Sequence, residues 1–135
     1  MDIALSAEDL AFRDEVRNFL DTEFDAEMQA HLKSRGSKGM VEWQQKLYVK
    51  GWIAPNWPVE HGGTGWTATQ KYIWESERSL RGIPDVVPFG LVMVANVIMA
   101  FGTDEQKEYF LPRILKSEDW WCPVSYTHLT LPTKA

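Results

Sequence analysis

Apolar residues recur at helical spacing in several separate stretches of the chain. In the first stretch Phe12, Val16 and Leu20 fall on one side, with charged residues between them, which predicts an amphipathic helix. Ser6, followed three residues later by Asp9, supplies an N-terminal capping signal for this helix. The same reasoning predicts three further helices, over residues 25–33, 40–50 and about 67–81.

In the second half of the chain, helix-breaking glycines and prolines alternate with apolar runs. Three glycines and two prolines within residues 52–66 predict an ordered loop. Residues 86–101 are nearly all apolar but include Pro88 and Gly90, so the run falls short of the roughly 18 apolar residues of a membrane span. It predicts a fifth helix that is buried on all sides. Thr103 and Gln106 predict the cap of a short sixth helix that ends at Leu111-Pro112.

Residues 119–122, Asp-Trp-Trp-Cys, are typical of the start of a buried strand. No strand signal precedes them, and no internal repeat is visible. The predicted fold class is therefore all-α, an orthogonally packed bundle of five to six helices, cut at the junction to a missing β-domain.

Composition narrows the class of protein. With 135 residues, 44% hydrophobic and 24% charged, the chain can form one globular domain with a sizeable core. A net charge of -5 disfavours nucleic acid and anionic membrane surfaces as partners. The single cysteine excludes a disulfide framework, and the N-terminus, with three acidic residues before any apolar run, is unlike a secretory signal. These features predict a cytoplasmic protein.

The residues that could bind a ligand or act in catalysis are not spaced as a known site in the sequence. Glycines at 62, 63 and 65 permit a phosphate-binding interpretation, but no strand precedes them, so a tight turn with positive φ is favoured. His31, His61 and His128 lack metal-ligand spacing. We therefore predict no metal site and no catalytic residue in this chain.

For three other candidate catalytic residues, the sequence also favours a structural role. Cys122 has no cationic neighbour in the sequence, so we expect an inert, buried thiol. Glu75 and Glu77 fall on different faces of the fourth helix and cannot act as a close carboxylate pair, so we expect them to be solvated or paired with Lys71 and Arg81.

Residues 102–122 carry a resemblance to a known family. A glycine, a capped short helix, an apolar turn and Trp120-Trp121-Cys122 follow in the order found in the acyl-CoA dehydrogenase family, where the helical N-terminal domain joins the middle β-domain. The phrases AEDLAFRDEVRNFL, GWIAPNWPVEHGGTGWT and FGTDEQKEYFLPRI also resemble counterparts in bacterial members. The resemblance covers essentially everything before the last 13 residues.

The resemblance implies a parent enzyme that oxidises an acyl-CoA thioester to the 2,3-enoyl form with FAD. It implies acyl-CoA and an electron-acceptor flavoprotein as partners and a homo- or hetero-oligomeric assembly. The flavin segment and the catalytic glutamate of the family have no counterpart here, so we expect this chain to bind no cofactor and to be inactive alone. The fifth helix would line the acyl pocket, with Phe89, Leu91, Val92 and Val94 as wall candidates and Asn96 as a hydrogen-bonded core amide.

The last residues have a separate explanation. Residues 124–133 read as the translation of a transposon-end sequencing adapter, against the alternative of a natural β-rich tail. The expected division is a helical domain over residues 1–119, the start of a β-domain at 120–122 and a non-native tail at 123–135. A free-standing helical interaction module is the alternative function. The downstream genomic sequence distinguishes the two.

Overall fold

The computed structural model describes residues 4–123, and in them the chain folds into six α-helices with no strand. A π-helix, Phe89–Val94, leads directly into the fifth α-helix, and a 3-10 turn, Val59–His61, lies in the long loop. The all-α prediction is confirmed. The α-helices are α1 Ala7–Glu23, α2 Ala26–Arg35, α3 Ser37–Lys50, α4 Ala68–Leu80, α5 Ala95–Phe101 and α6 Asp104–Leu115.

Reciprocal capping boxes begin three of these helices. The Ser6 hydroxyl accepts from the Asp9 amide while the Asp9 carboxylate accepts from the Ser6 amide, as the sequence predicts. Thr67 caps α4, and Thr103 caps α6 through Gln106. Each box satisfies amide groups that the first turn of a helix leaves without an intrahelical acceptor.

Two predicted helix boundaries are wrong. Gly36 alone separates α2 from α3, because its φ of 53° turns the chain within one residue, so α3 begins at Ser37. Helix α6 does not stop at Pro112 but continues to Leu115. The extra turn buries Ile114 beside Leu111, and this packing outweighs the hydrogen bond that the proline cannot donate.

An aromatic cluster forms the core where α1 packs along α4. The rings of Phe19 and Trp52 meet edge to face, with centroids 4.9 Å apart, and Trp52 contacts Trp74 in the same way at 5.5 Å. Such edge-to-face pairs add about 0.5–1.5 kcal/mol each beyond burial. Helix α2 packs on α3, where Trp43 is fully buried.

The predicted fully buried fifth helix is wrong. Leu91 and Ala95 are buried, but Val92, Met93 and Val97 are each more than half exposed and Phe101 is 86% exposed. The segment is two-faced, and an apolar face lies outside the core. None of the helices within residues 4–123 combines the length and apolarity needed to cross a membrane.

The segment after α6 also differs from prediction. Residues 116–123 form a turn followed by irregular chain without strand pairing. Trp120 is 44% exposed, and Cys122 is an exposed free thiol, not a buried one. A strand requires a neighbour for its backbone hydrogen bonds, and residues 4–123 provide none. The assignment of 120–122 to a β-domain stays a prediction. The adapter-like residues 124–133 and His128 lie outside the described residues.

Candidate functional site

A small cavity lies between the 52–66 loop, α4 and the π-helix. Its volume is about 120 Å³, below the roughly 300–1,000 Å³ of ordinary ligand pockets, so it can hold only part of a ligand. Its wall is mainly apolar and aromatic, with a few charged groups at the rim. The apolar lining includes Leu47, Ile53, Trp57, Trp74, Leu91 and Val92.

Two of the four predicted wall residues line this cavity. Leu91 is buried and Val92 is half exposed, and both contribute to the wall. Phe89 and Val94 lie elsewhere: Phe89 is exposed, and Val94 is half-buried against the core. Asn96 also lines the cavity, but it is exposed rather than a core amide.

The π-helix has one wider backbone hydrogen bond and two hydrogen bonds from side chains. The Ala95 amide donates to Gly90 O, five residues back, which gives the wider π turn. The buried Trp57 indole N–H donates to Leu91 O at 2.6 Å. The Asn96 side-chain amide donates to Val92 O at 2.5 Å. The two wall residues therefore each have a backbone carbonyl bound by a side chain.

The glycine turn beside the cavity is structural, as predicted. Gly62 and Gly65 adopt φ of 104° and 66°, which other residues rarely adopt. A Cβ on Gly63 would lie 1.7 Å from the Trp57 carbonyl oxygen, so only glycine allows the backbone of Trp57 to pass so closely. The turn thus fixes the backbone from which the Trp57 indole extends.

A buried glutamine fixes the chain just before the π-helix. Gln44 accepts from the Val87 amide at 2.7 Å and donates to the Ser117 hydroxyl at 2.8 Å. It therefore joins α3 to the approach of the π-helix and to the turn after α6. Gln44 was not predicted as a functional residue, although a glutamine three residues before the apolar Leu47 on α3 was a signal for a buried polar contact.

Charged side chains surround the cavity mouth. Arg78 donates to Ile83 O at 2.9 Å and pairs with Glu75, and its guanidinium lies 3.8 Å from the Asp85 carboxylate. The Arg78 side chain is only 12% exposed. It therefore ties the end of α4 to the segment that leads to the π-helix.

Glu77 carries a second charged network, between α1 and α4. Its carboxylate is buried and accepts from Arg17 at 2.9 Å and from Arg81 at 2.7 Å, and Arg81 also pairs with Asp21. Burial alone would raise the pKa of Glu77, but the hydrogen bonds from Arg81 and Arg17 outweigh it and hold that pKa below its ordinary value. The predicted pairing of Glu77 with Arg81 is confirmed, whereas the pairing of Glu77 with Arg17 was not predicted.

A bidentate ion pair closes the end of the helical domain. Arg113 donates to both carboxylate oxygens of Asp119, at 2.7 and 2.8 Å. The hydrogen bonds from Arg113 lower the pKa of Asp119. Trp121 packs nearby against Phe110, with ring centroids 5.6 Å apart, so the chain after α6 is anchored to the bundle.

A second, wider groove of about 740 Å³ lies between α1, α2 and α3. His31 shares a 2.7 Å hydrogen bond with Glu42, and this bond, with one from Arg35, lowers the pKa of Glu42. The groove is lined largely by charged side chains. Among residues 4–123 no group of three His, Cys, Asp or Glu side chains is placed to hold a metal ion.

The capped helices, the glycine turn and the apolar segment beside the cavity belong to an all-α domain. Residues 6–118 match the family model described as "Acyl-CoA dehydrogenase, N-terminal domain". The chain therefore belongs to the acyl-CoA dehydrogenase family.

Relatives of known name agree with this assignment. Acyl-CoA dehydrogenase FadE26 of Mycobacterium tuberculosis is 37% identical over 120 residues, a match that covers 84% of this chain. Acyl-CoA dehydrogenase IpdE1 of Mycolicibacterium smegmatis is 33% identical over 120 residues, and that match covers 82% of this chain. Among solved structures, the ChsE4–ChsE5 complex from Mycobacterium tuberculosis is similar at a TM-score of 0.72 and 35% identity, and the Tcur3481–Tcur3483 steroid ACAD at 0.66 and 30%; each covers 87% of this chain.

The matches cover only part of each relative. This chain spans about 30% of the length of FadE26 and IpdE1, and 30–31% of the chains in the two structures. The larger part of each relative has no counterpart in the sequence described here.

Proposed function

We propose that this chain is the N-terminal helical part of a flavin-dependent acyl-CoA dehydrogenase, an oxidoreductase that converts an acyl-CoA to its 2,3-enoyl form. The family match over residues 6–118 carries the proposal. In it, the π-helix and the 52–66 loop form one wall of the acyl pocket. Leu91 and Val92 are the contacts we assign to the acyl group, because both line the cavity.

The small cavity does not fit FAD by itself. The cavity of about 120 Å³ is too small for a tricyclic flavin ring, and the glycine turn is filled by the backbone of Trp57. We infer that FAD in the full-length enzyme is held mainly by parts of the family fold that have no counterpart here. The purified 135-residue chain should accordingly be colourless after gel filtration.

A narrower proposal concerns the class of acyl substrate and the oligomeric state of the enzyme. Because one structural neighbour is a steroid ACAD, a bulky, ring-bearing acyl-CoA is the first substrate class to test, with straight-chain acyl-CoA as the comparison. Because the other is a complex of two named chains, we propose that the enzyme is oligomeric. A cytoplasmic location and a flavoprotein electron acceptor complete this proposal.

The decisive experiment uses the flavin-loaded full-length enzyme that carries this segment. Anaerobic addition of an acyl-CoA should bleach the visible flavin absorbance, and an enzyme that no acyl-CoA bleaches would contradict the proposed reaction. Val92→Phe should narrow the pocket and shift the preference towards smaller acyl groups. Val49→Phe, at an 84% exposed position of α3 away from the cavity, is the matched control and should leave the preference unchanged.

A further inference from the structure

Side-chain donors bind two successive carbonyl groups of the π-helix. Trp57 binds Leu91 O and Asn96 binds Val92 O. A carbonyl oxygen has two acceptor sites, and the wider π turn leaves the carbonyl accessible to a side-chain donor. The π form is rare and occurs mostly as a single turn, often at functional sites, so a specific contact is needed to account for it here.

We propose that Trp57 is a positioning residue whose indole N–H holds the π-helical winding that presents Leu91 and Val92 to the cavity. The link from this winding to acyl selectivity rests on the proposed function above. The winding itself does not, because it follows from contacts within residues 4–123.

Trp57 is the fixed partner of this contact. Its side chain is buried, its amide donates to Ala54 O at 3.2 Å, and the close approach of Gly63 confines its carbonyl. The π-helix is the more adaptable partner, since Met93, which does not line the cavity, is more than half exposed. A hydrogen bond from a fixed donor therefore sets the conformation of the helix.

Loss of the bond would change which side chains face the cavity. An α-helix advances about 100° per residue, and a π turn contains one residue more than an α turn. Rewinding to the α form would therefore rotate the side chains on one side of the turn relative to the other by about 100°. Leu91 and Val92 could not both keep their places in the wall.

The first test measures the winding without reference to catalysis. Benzothienylalanine at position 57 replaces the indole N–H by sulfur and keeps the ring shape; Trp57→Phe removes the donor with a smaller ring. Amide hydrogen exchange over residues 89–96 should become about tenfold faster in both, as expected for the loss of one hydrogen bond. Unchanged exchange in the benzothienylalanine protein would overturn the proposal.

Trp43→Phe is the matched control. Trp43 is also fully buried, but its indole N–H has no hydrogen-bond partner among residues 4–123. Exchange over residues 89–96 in this variant should change only as much as its global stability changes. An equal local acceleration in the control would show that lost volume, rather than the lost donor, loosens the helix, and would also overturn the proposal.

The second test measures selectivity in the flavin-loaded full-length enzyme. The ratio of kcat/KM for a small and a large acyl-CoA should change about fivefold with benzothienylalanine at position 57, mainly through KM, and stay constant in Trp43→Phe. An active enzyme with an unchanged ratio would overturn the link to selectivity. A wild type inactive with every acyl-CoA would instead refute the proposed function, and hydrogen exchange would still decide the role of Trp57.

Discussion

Glu77 places a carboxylate inside the contact between α1 and α4, where an unpaired charge would be costly. Two arginines, Arg17 on α1 and Arg81 directly after α4, pair with the carboxylate and offset the cost of its burial. Arg17 is 44% exposed, so part of this pairing is screened by water. The network therefore specifies how α1 lies on α4 more than it adds to stability.

We expect Glu77→Gln to lower the free energy of unfolding by about 1–2 kcal/mol at neutral pH, because both arginines lose a charged acceptor. Glu75→Gln, at a half-exposed carboxylate of the same helix, should cost about 0.5 kcal/mol or less. Urea unfolding of both variants gives the comparison. Equal losses in the free energy of unfolding for the two variants would show that the burial of Glu77 does not affect stability.

The pH dependence of the same variant has a defined sign. The folded pKa of Glu77 is lowered, so its stabilisation is complete above the unfolded glutamate pKa of about 4.3 and is lost as pH falls through the folded pKa. The stability gap between wild type and Glu77→Gln should stay constant from neutral pH to about pH 5 and narrow below it. A gap that widens on acidification would contradict the assigned pairing.

Gly63→Ala tests the close approach of the glycine turn to Trp57. The added methyl group would lie 1.7 Å from a carbonyl oxygen, so the loop must move, and we expect a loss above about 3 kcal/mol or failure to fold. Gly82→Ala is the control, because its φ is 65° but no atom of the described part of the chain lies within 4 Å of the added methyl carbon. It should cost only about 1 kcal/mol, as judged by thermal unfolding.

At the scale of elements, the apolar segment from the π-helix to α5 has one buried and one exposed side. Ala95→Asp would place a carboxylate at a position with no solvent exposure and should cost several kcal/mol. Val97→Asp, at a 57% exposed position of the same helix, should cost less than about 1 kcal/mol. Val94→Asp, at a half-buried position, should fall between them. Similar thermal midpoints for all three would disprove the two-faced description.

Elements set by local interactions could be predicted from the sequence. The Ser6 and Thr103 caps are examples, because each needs only a partner three residues away. The π-helix could not be predicted, because Trp57 and Gln44, which hold its carbonyl group and its approach, are distant in sequence. The Arg17–Glu77 pair spans 60 residues and is visible only in the fold.

The four wall candidates came from the family resemblance, and their role in an acyl pocket stays a prediction. The sequence selected an apolar helix, and Leu91 and Val92 do line the cavity. Phe89 and Val94 do not line it, because the resemblance indicated a segment and not the direction in which each side chain extends. Burial was overestimated because apolar composition cannot distinguish a face covered by this domain from one that is not.

At the scale of the whole molecule, the uncovered apolar face of the π-helix and α5 determines how the chain behaves in solution. Val92, Met93, Val97 and Phe101 are all more than half exposed. Several large apolar side chains exposed on neighbouring turns of one segment are typical of a surface that contacts another surface. In the proposed enzyme, that surface is the acyl group and the rest of the fold.

We therefore expect the purified 135-residue chain to self-associate at about the micromolar to millimolar concentrations where exposed apolar surface promotes association. Sedimentation velocity across that range should show a concentration-dependent increase in mass. Phe101→Glu should shift the chain towards monomer, because it places a charge on the uncovered face at an 86% exposed position. Leu80→Glu, at an 82% exposed position at the end of α4, adds the same charge elsewhere and should leave association unchanged. A wild type that stays monomeric, or two variants that respond equally, would show that the π-helix and α5 do not drive association.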